Sequence, residues 1–183
     1  MSFNLINPFL YTSYDADAQA FITAAGITID LQKLAINQLV IDLKAQSLWS
    51  KMYAVYPIIG GTDTMHKYNL INPADTDAAY RLSFSGTITH SSTGMLPGAG
   101  GAAITFISGN TTFSKTNGHV SYYSRTNSTT GNNCLYGFAG ANGGLMPYNG
   151  GTLYDDMITF TSDRTSVAAS ATNAFYLTSF AAA

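Results

Sequence analysis

All ten acidic side chains in this 183-residue sequence are aspartates; glutamate is absent. That narrows the acid–base chemistry open to it. Glycosidases set two carboxylates across the scissile bond. Asp155 and Asp156 are adjacent, and in a strand neighbouring side chains point to opposite faces, so they make no such pair. Asp75 and Asp77 have same-face spacing but follow Pro73 in a turn. With Asn72 or Asn69 as a further oxygen ligand they are calcium candidates; turn and cap carboxylates are the simpler reading. His66, His90 and His119 are widely separated and accompanied by a single cysteine, Cys134, so no zinc spacing is present. His90-Ser91-Ser92-Thr93-Gly94 falls short of a nucleophile elbow, because His stands where the first Gly belongs and no strand–turn–helix follows. The run from Gly98 to Gly101 lacks the Gly-Lys-Ser/Thr of a phosphate loop and reads as a flexible loop. No catalytic set emerges, no cofactor is expected, and the chain reads as a non-enzyme.

Recognition chemistry is better represented. Arg125 sits in Ser121-Tyr122-Tyr123-Ser124-Arg125-Thr126-Asn127. Tyr122, Tyr123, Arg125 and Asn127 suit sugar binding, by stacking and bidentate hydrogen bonds. They suit subunit contacts equally well, and Arg125 also has a structural use in pairing with a scarce Asp. Trp49, the only tryptophan, is either a sugar-stacking platform or an anchor between helices and strands; its apolar setting favours the anchor.

These residues stand on elements of two kinds. The pattern changes at Pro57-Ile58-Ile59-Gly60-Gly61. Before it, apolar residues recur at helical spacing. Asn7-Pro8 and Ser13 precede a first helix over 14–25, with Ser13 as N-cap, Asp15 and Asp17 in the first turn, and Gly26 as the stop. Phe21 and Ile22 supply its buried contacts. Thr28 or Asp30 caps a second helix reaching Ala45 or Gln46. Its main stripe is Leu31, Ala35, Leu39 and Leu43, widened by Ile36 and Val40 on one side and by Leu34 and Ile41 on the other. Lys33, Asn37 and Lys44 share the one polar arc. Such a helix has a second apolar face, to be covered by the β part or by another subunit.

After the boundary, eight short β-rich segments are expected: 67–71, 80–85, 87–90, 103–107, 119–125, 134–138, 157–161 and 175–180. Gly, Asn and Pro turn signals separate them. No helical pattern intervenes, which disfavours a parallel α/β fold. The expected fold class is therefore mainly β: an antiparallel β-sandwich or jelly roll over 58–183, carrying a small helical segment over 1–57. Asn-Leu-Ile-Asn-Pro occurs at 4–8 and again at 69–73, but the surroundings differ, so it reads as coincidence or a shared turn.

The bulk numbers fit a component of something larger. Charged residues make up 10%, against about 25% in ordinary domains. Few charges leave a free monomer poorly soluble unless an oligomer or lattice covers it, or hydroxyl and amide groups solvate it. A net charge of −2 gives no footprint for nucleic acid. No membrane span is expected, and Met1-Ser2-Phe3-Asn4 does not read as a signal peptide. The sequons at Asn110 and Asn127 mean little without one. The last pattern, Phe175 to Phe180, reads as a strand, so a partner strand or a longer polypeptide is expected to complete it.

Several stretches are familiar as a group. Asp15-Ala16-Asp17-Ala18-Gln19-Ala20-Phe21-Ile22-Thr23-Ala24-Ala25-Gly26-Ile27 leads into Gln32-Lys33-Leu34-Ala35-Ile36-Asn37-Gln38-Leu39-Val40. Leu48-Trp49-Ser50-Lys51-Met52, Tyr56-Pro57, Gly60-Gly61, Thr89-His90-Ser91-Ser92-Thr93-Gly94 and 121–127 follow. Together they resemble an uncharacterised family of tailed-bacteriophage structural proteins, similar to concanavalin-like (LamG-type) β-sandwiches preceded by a short helical segment. The resemblance covers about 14–127 and runs more faintly through Arg164-Thr165 to Phe175-Tyr176. It implies a virion component: a capsid decoration, minor capsid, head-fibre or tail-appendage subunit whose partners are other virion proteins and copies of itself. A glycan-binding adhesion module is the alternative. The resemblance supplies no catalytic residues.

Overall fold

The computed structural model describes residues 13–98, 100–107 and 117–125, together with the backbone of five strands further along the chain. The chain forms two compact units, Met1–Phe106 and Ile107–Ala183. The change of pattern at Pro57–Gly61 lies inside the first of them.

Helix α1 runs Ala16–Ala25. It starts two residues later than expected because Asp15, not Ser13, is the N-cap, its carboxylate accepting from the Asp17 N–H at 3.0 Å. Gly26 ends it in the left-handed region (φ 64°), and the Ile27 N–H reaches back to the Ile22 carbonyl at 3.0 Å. This is a Schellman closure, in which glycine alone avoids the Cβ penalty. Helix α2 runs Asp30–Ala45. Neither Thr28 nor Asp30 caps it: Ile29 occupies the cap position without a side-chain bond, and Asp30 lies in the first turn, paired with Lys33.

The packing face of α2 differs from the expected stripe. Its buried residues are Ile36, Asn37 and Val40, whereas Leu31 and Ala35 are exposed and Leu39 and Leu43 half-buried. Polar docking turns the helix. The Asn37 Oδ1 accepts from the Asp15 N–H at 2.7 Å. Lys44 lies 2.6 Å from carboxylate oxygens of both Asp15 and Asp17. Asn37 and Lys44 of the expected polar arc thus face the start of α1, where unpaired backbone donors and two carboxylates need partners.

Ala18, Phe21, Ile22, Ala25, Ile27, Ile36, Val40 and Leu70 form the core, with Trp49, Ile59 and Tyr68 partly buried against it. Residues on both sides of Pro57 therefore share one core. A short 3-10 turn, Trp49–Lys51, follows α2; α3 is the single turn Asp63–His66, and a second 3-10 turn covers Asp77–Ala79.

The segment 67–71, expected as a strand, is irregular. Asn69 replaces ladder pairing there. Buried to 1% exposure, its Oδ1 accepts from the Val55 and Ile71 N–H groups at 3.0 Å each. Its Nδ2 donates to the Tyr53 and Ala79 carbonyls at 3.1 Å each.

The strands of the first unit are short and antiparallel. β1 (Ser83–Ser85) pairs with β4 (Ala102–Ile104), and β2 (Ile88–Ser91) with β3 (Gly94–Pro97). The expected strand 80–85 shrinks to its last three residues because Tyr80, at φ 60°, closes the preceding 3-10 turn. Ser92 and Thr93 form the tight turn between β2 and β3, so the His90–Gly94 motif is a hairpin end. Gly86, between β1 and β2, has φ +66°, and a Cβ there would lie 2.1 Å from the Gly100 carbonyl oxygen. Gly86→Ala is expected to lower stability by about 2 kcal/mol or more, measured by urea unfolding; a change within experimental error would show that the loop yields freely.

In the second unit β5 (Asn117–Ser124) pairs antiparallel with β10 (Ala174–Ala181) over eight residues. The strand at 174–181 thus finds a partner within the chain. β6 (Tyr136–Gly137), β7 (Gly144–Asn149), β8 (Thr152–Asp156) and β9 (Arg164–Ala168) form an antiparallel meander in that order. The β7–β8 register is irregular between Met146 and Asn149, where Pro147 cannot donate to a ladder. The expected strand 157–161 lies outside the described residues.

Candidate functional site

Helix α2 has a second apolar side that the rest of the described structure leaves open. Leu31 is 78% exposed, Leu34 44% and Ile41 42%. Gln38 and Ala45 are exposed on the same side. The spacing 31, 34, 38, 41, 45 alternates three and four residues, the a/d spacing of a helix that packs against another helix. Ile29, at the N-cap, and Leu48, beyond the end of the helix, are exposed as well. Hydrogen bonds along the helix hold its polar flanks: Lys33 to Asp30 at 2.9 Å and Gln38 to Asp42 at 2.8 Å. At the inner edge, the Lys44 bond holds the Asp15 carboxyl below the usual carboxylate range, and the two aspartates push the Lys44 ammonium up.

The residues singled out by sequence divide between the units. Trp49 belongs to the first, half-buried against the core with the Lys44 ammonium 5.4 Å from its ring centroid. Tyr122, Tyr123 and Arg125 belong to the second, in and just after β5. Tyr123 is 52% exposed and Arg125 is exposed, while Tyr122 is half-buried and burial pushes its phenol up. Asn127 lies outside the described residues.

Asp75 and Asp77, the calcium candidates, are both held by cations of the chain. Asp75 binds Lys67 at 2.5 Å and Arg81 at 3.5 Å, and Asp77 takes the Arg81 Nε at 3.0 Å. Asn72 accepts from the Ala74 N–H at 3.4 Å, and Asn69 is committed to the core. Among the described residues no three potential ligands cluster for a metal. Lys67 and Arg81 also line an open depression of about 280 Å³ beside β1. Asp63 lines it as well, and Lys67 and Arg81 are held by Asp75 and Asp77, so it presents no surplus of positive charge to an anionic ligand.

A histidine pair links α3 to the β2–β3 hairpin. The His66 and His90 Nδ1 atoms are 2.9 Å apart, and the His66 Nε2 accepts from the Gly61 N–H at 3.3 Å. His66 is 1% exposed. Burial first, and then His90, lower its pKa, partly offset by the Ser91 backbone and Asp63. Phe84 packs edge-on against His90 at 4.8 Å.

No protein-family model, curated protein or solved structure matches the chain.

The histidine pair and the Asn69 knot escaped the sequence reading, whereas a second apolar face on α2 was expected. The seam was present as spacing, hidden inside a helix apolar on most sides. The other two depend on contacts between segments far apart in sequence, for which local pattern carries no signal.

Proposed function

We propose that the chain is a structural subunit of a bacteriophage particle that acts through protein–protein assembly and carries out no catalysis. The exposed apolar seam of α2 supports this most directly. A run of large aliphatic side chains left in water on a protein with few charges calls for a covering partner. The resemblance to tailed-phage structural proteins says what kind of assembly that is. On this reading the strands of the second unit belong to an antiparallel sandwich or jelly roll, and the partners are virion proteins and further copies of the chain. Mass spectrometry of purified, nuclease-treated particles of the phage that encodes the chain tests it. The chain is expected at a fixed copy number per particle. Its absence from particles, with the protein present in infected cells, would overturn the reading.

Glycan adhesion is the second reading, supported by the exposure of Tyr123 in β5 and of Arg125 just after it. Glycan-array binding that is lost on Arg125→Ala or Tyr123→Ala would support it; a flat array excludes it for the glycans tested.

A further inference from the structure

We propose that His66 and His90 form a latch on the β2–β3 hairpin that a proton releases. With both rings neutral the hairpin is held against α3 and the Gly60–Gly61 turn; with one more proton it swings free while the rest of the first unit stays folded. The inference stands apart from the assembly reading. The hairpin is built to move as one piece. Among the described residues β2 and β3 pair only with each other. Their two ends are tied together: the Gly98 N–H donates to the Thr87 carbonyl at 2.7 Å, and Gly86 abuts the Gly100 carbonyl. The contacts towards the rest of the unit are of another kind. His90 meets His66 and Phe84. Ser92 lies against Gly61, where a Cβ would come within 3.3 Å of the Ser92 nitrogen. The Gln32 Nε2 reaches the Ser92 carbonyl at 3.5 Å, in an exposed position. The histidine pair is the polar link that reaches the buried interior, through His66.

Proton counting makes this link conditional. The neutral pair has four ring nitrogens and two hydrogens, one on the His66 Nδ1 and one on the His90 Nε2. The first is donated to the His90 Nδ1, and the His66 Nε2 accepts from Gly61. A third hydrogen leaves a single bare nitrogen. If that is the His66 Nε2, two Nδ1–H groups face each other across 2.9 Å. If it is either Nδ1, the His66 Nε2–H faces the Gly61 N–H. If it is the His90 Nε2, both bonds are lost. Wherever the proton settles, at least one of the two bonds breaks. Release opens the Nδ1 side of both rings to water, where an imidazolium is readily solvated. Asp63, in the same turn as His66, and the Ser91 backbone favour the proton, but burial and His90 outweigh them. Charges on the neighbouring elements are already paired: Asp15 and Asp17 of α1 with Lys44, Asp30 of α2 with Lys33, and Lys67 and Arg81 with Asp75 and Asp77. β1 and β3 carry no charge. A segment held by so few contacts opens at a lower cost than the core around it.

Electron–electron distance measurement on the spin-labelled whole chain is the test. In a Cys134→Ser background, Thr93→Cys at the hairpin tip is paired with Ala20→Cys on α1, both exposed positions. Ala20→Cys with Ala45→Cys reports α1 against α2 as the control pair. The tip distance is expected to be single at pH 7.5 and to gain a displaced population in acid. That population rises about tenfold per pH unit below about pH 6.5 until release is complete, while the control distance and Trp49 emission hold. His66→Gln, which keeps an acceptor for Gly61, is expected to stay closed throughout. A tip distance unchanged down to about pH 5 overturns the latch, and the same displacement in His66→Gln overturns the part given to the pair. Control distance and emission that change together with the tip show unfolding of the unit and overturn local release.

Discussion

Asn69→Ala is expected to destabilise the first unit by about 3–4 kcal/mol, more than the loss of a side chain of this size ordinarily costs. The Asn69 amide uses both of its carbonyl lone pairs and both of its N–H donors. Its removal leaves two backbone N–H groups and two carbonyls without their partner, and each such buried group costs about 1–3 kcal/mol. Three of the four bonds are only partly buried. Water re-entry therefore reduces the sum, which sets the figure at the lower end. Asn69→Asp is a sharper probe. It keeps the shape and both acceptors but places a carboxylate against the Tyr53 and Ala79 carbonyls. Its folded-state pKa is raised, so its deficit relative to wild type is largest at pH 7 and shrinks as the pH falls and the carboxyl regains a donor. Urea unfolding followed by circular dichroism at pH 7 and pH 4.5 measures both. A loss below about 1 kcal/mol for Asn69→Ala would mean that the knot is not what holds 53–55, 71 and 79 together.

The second large effect is acid lability centred on His66. Its Nε2 is an acceptor, so in the neutral ring the proton sits on Nδ1 and is donated to the Nδ1 of His90. A protonated His66 would turn an N–H towards the Gly61 N–H. The hydrogen bond from Gly61 thus disfavours a proton on the His66 Nε2. The folded-state pKa of His66 is lowered, chiefly by burial. The unfolded chain thus binds the proton first, and stability falls as pH drops below about 6.5. The slope approaches about 1.4 kcal/mol per pH unit for one proton. Above that range the stability is fully present. His66→Gln, which keeps a side-chain acceptor for Gly61 and lacks the titration, is expected to flatten the profile between pH 7.5 and 5. An unchanged acid slope in that variant would place the titrating group elsewhere.

Local punctuation explains how far the fold could be read in sequence. Gly26 terminated α1 where expected, because a left-handed residue after an apolar run has few other uses. Phe21 and Ile22 are buried as predicted, since α1 has one clear apolar side. Helix α2 misled because its apolar residues are spread over most of its circumference. Hydrophobic pattern then sets no orientation, and the polar contacts of Asn37 and Lys44 with Asp15 and Asp17 decide it. The segment 67–71 has strand-like composition, yet Asn69 bonds the backbone from its side chain and competes with a ladder. The acidic residues at 75 and 77 looked like possible ligands because sequence does not reveal which cations fold back onto them; Lys67 and Arg81 do. The outward seam was legible as a second apolar face, though its residues were not singled out.

Trp49 has a further consequence. It is the only tryptophan in the chain, it belongs to the first unit, and its ring lies against that unit's core beneath Lys44. Tryptophan emission is therefore an optical signal from the helical unit alone, while the tyrosine-bearing strands of the second unit are silent when tryptophan is excited selectively. A denaturation curve recorded by emission watches the first unit, whereas strand ellipticity draws also on the longer strands of the second. Coincident curves would mark a single cooperative transition, and separated midpoints two independently melting units.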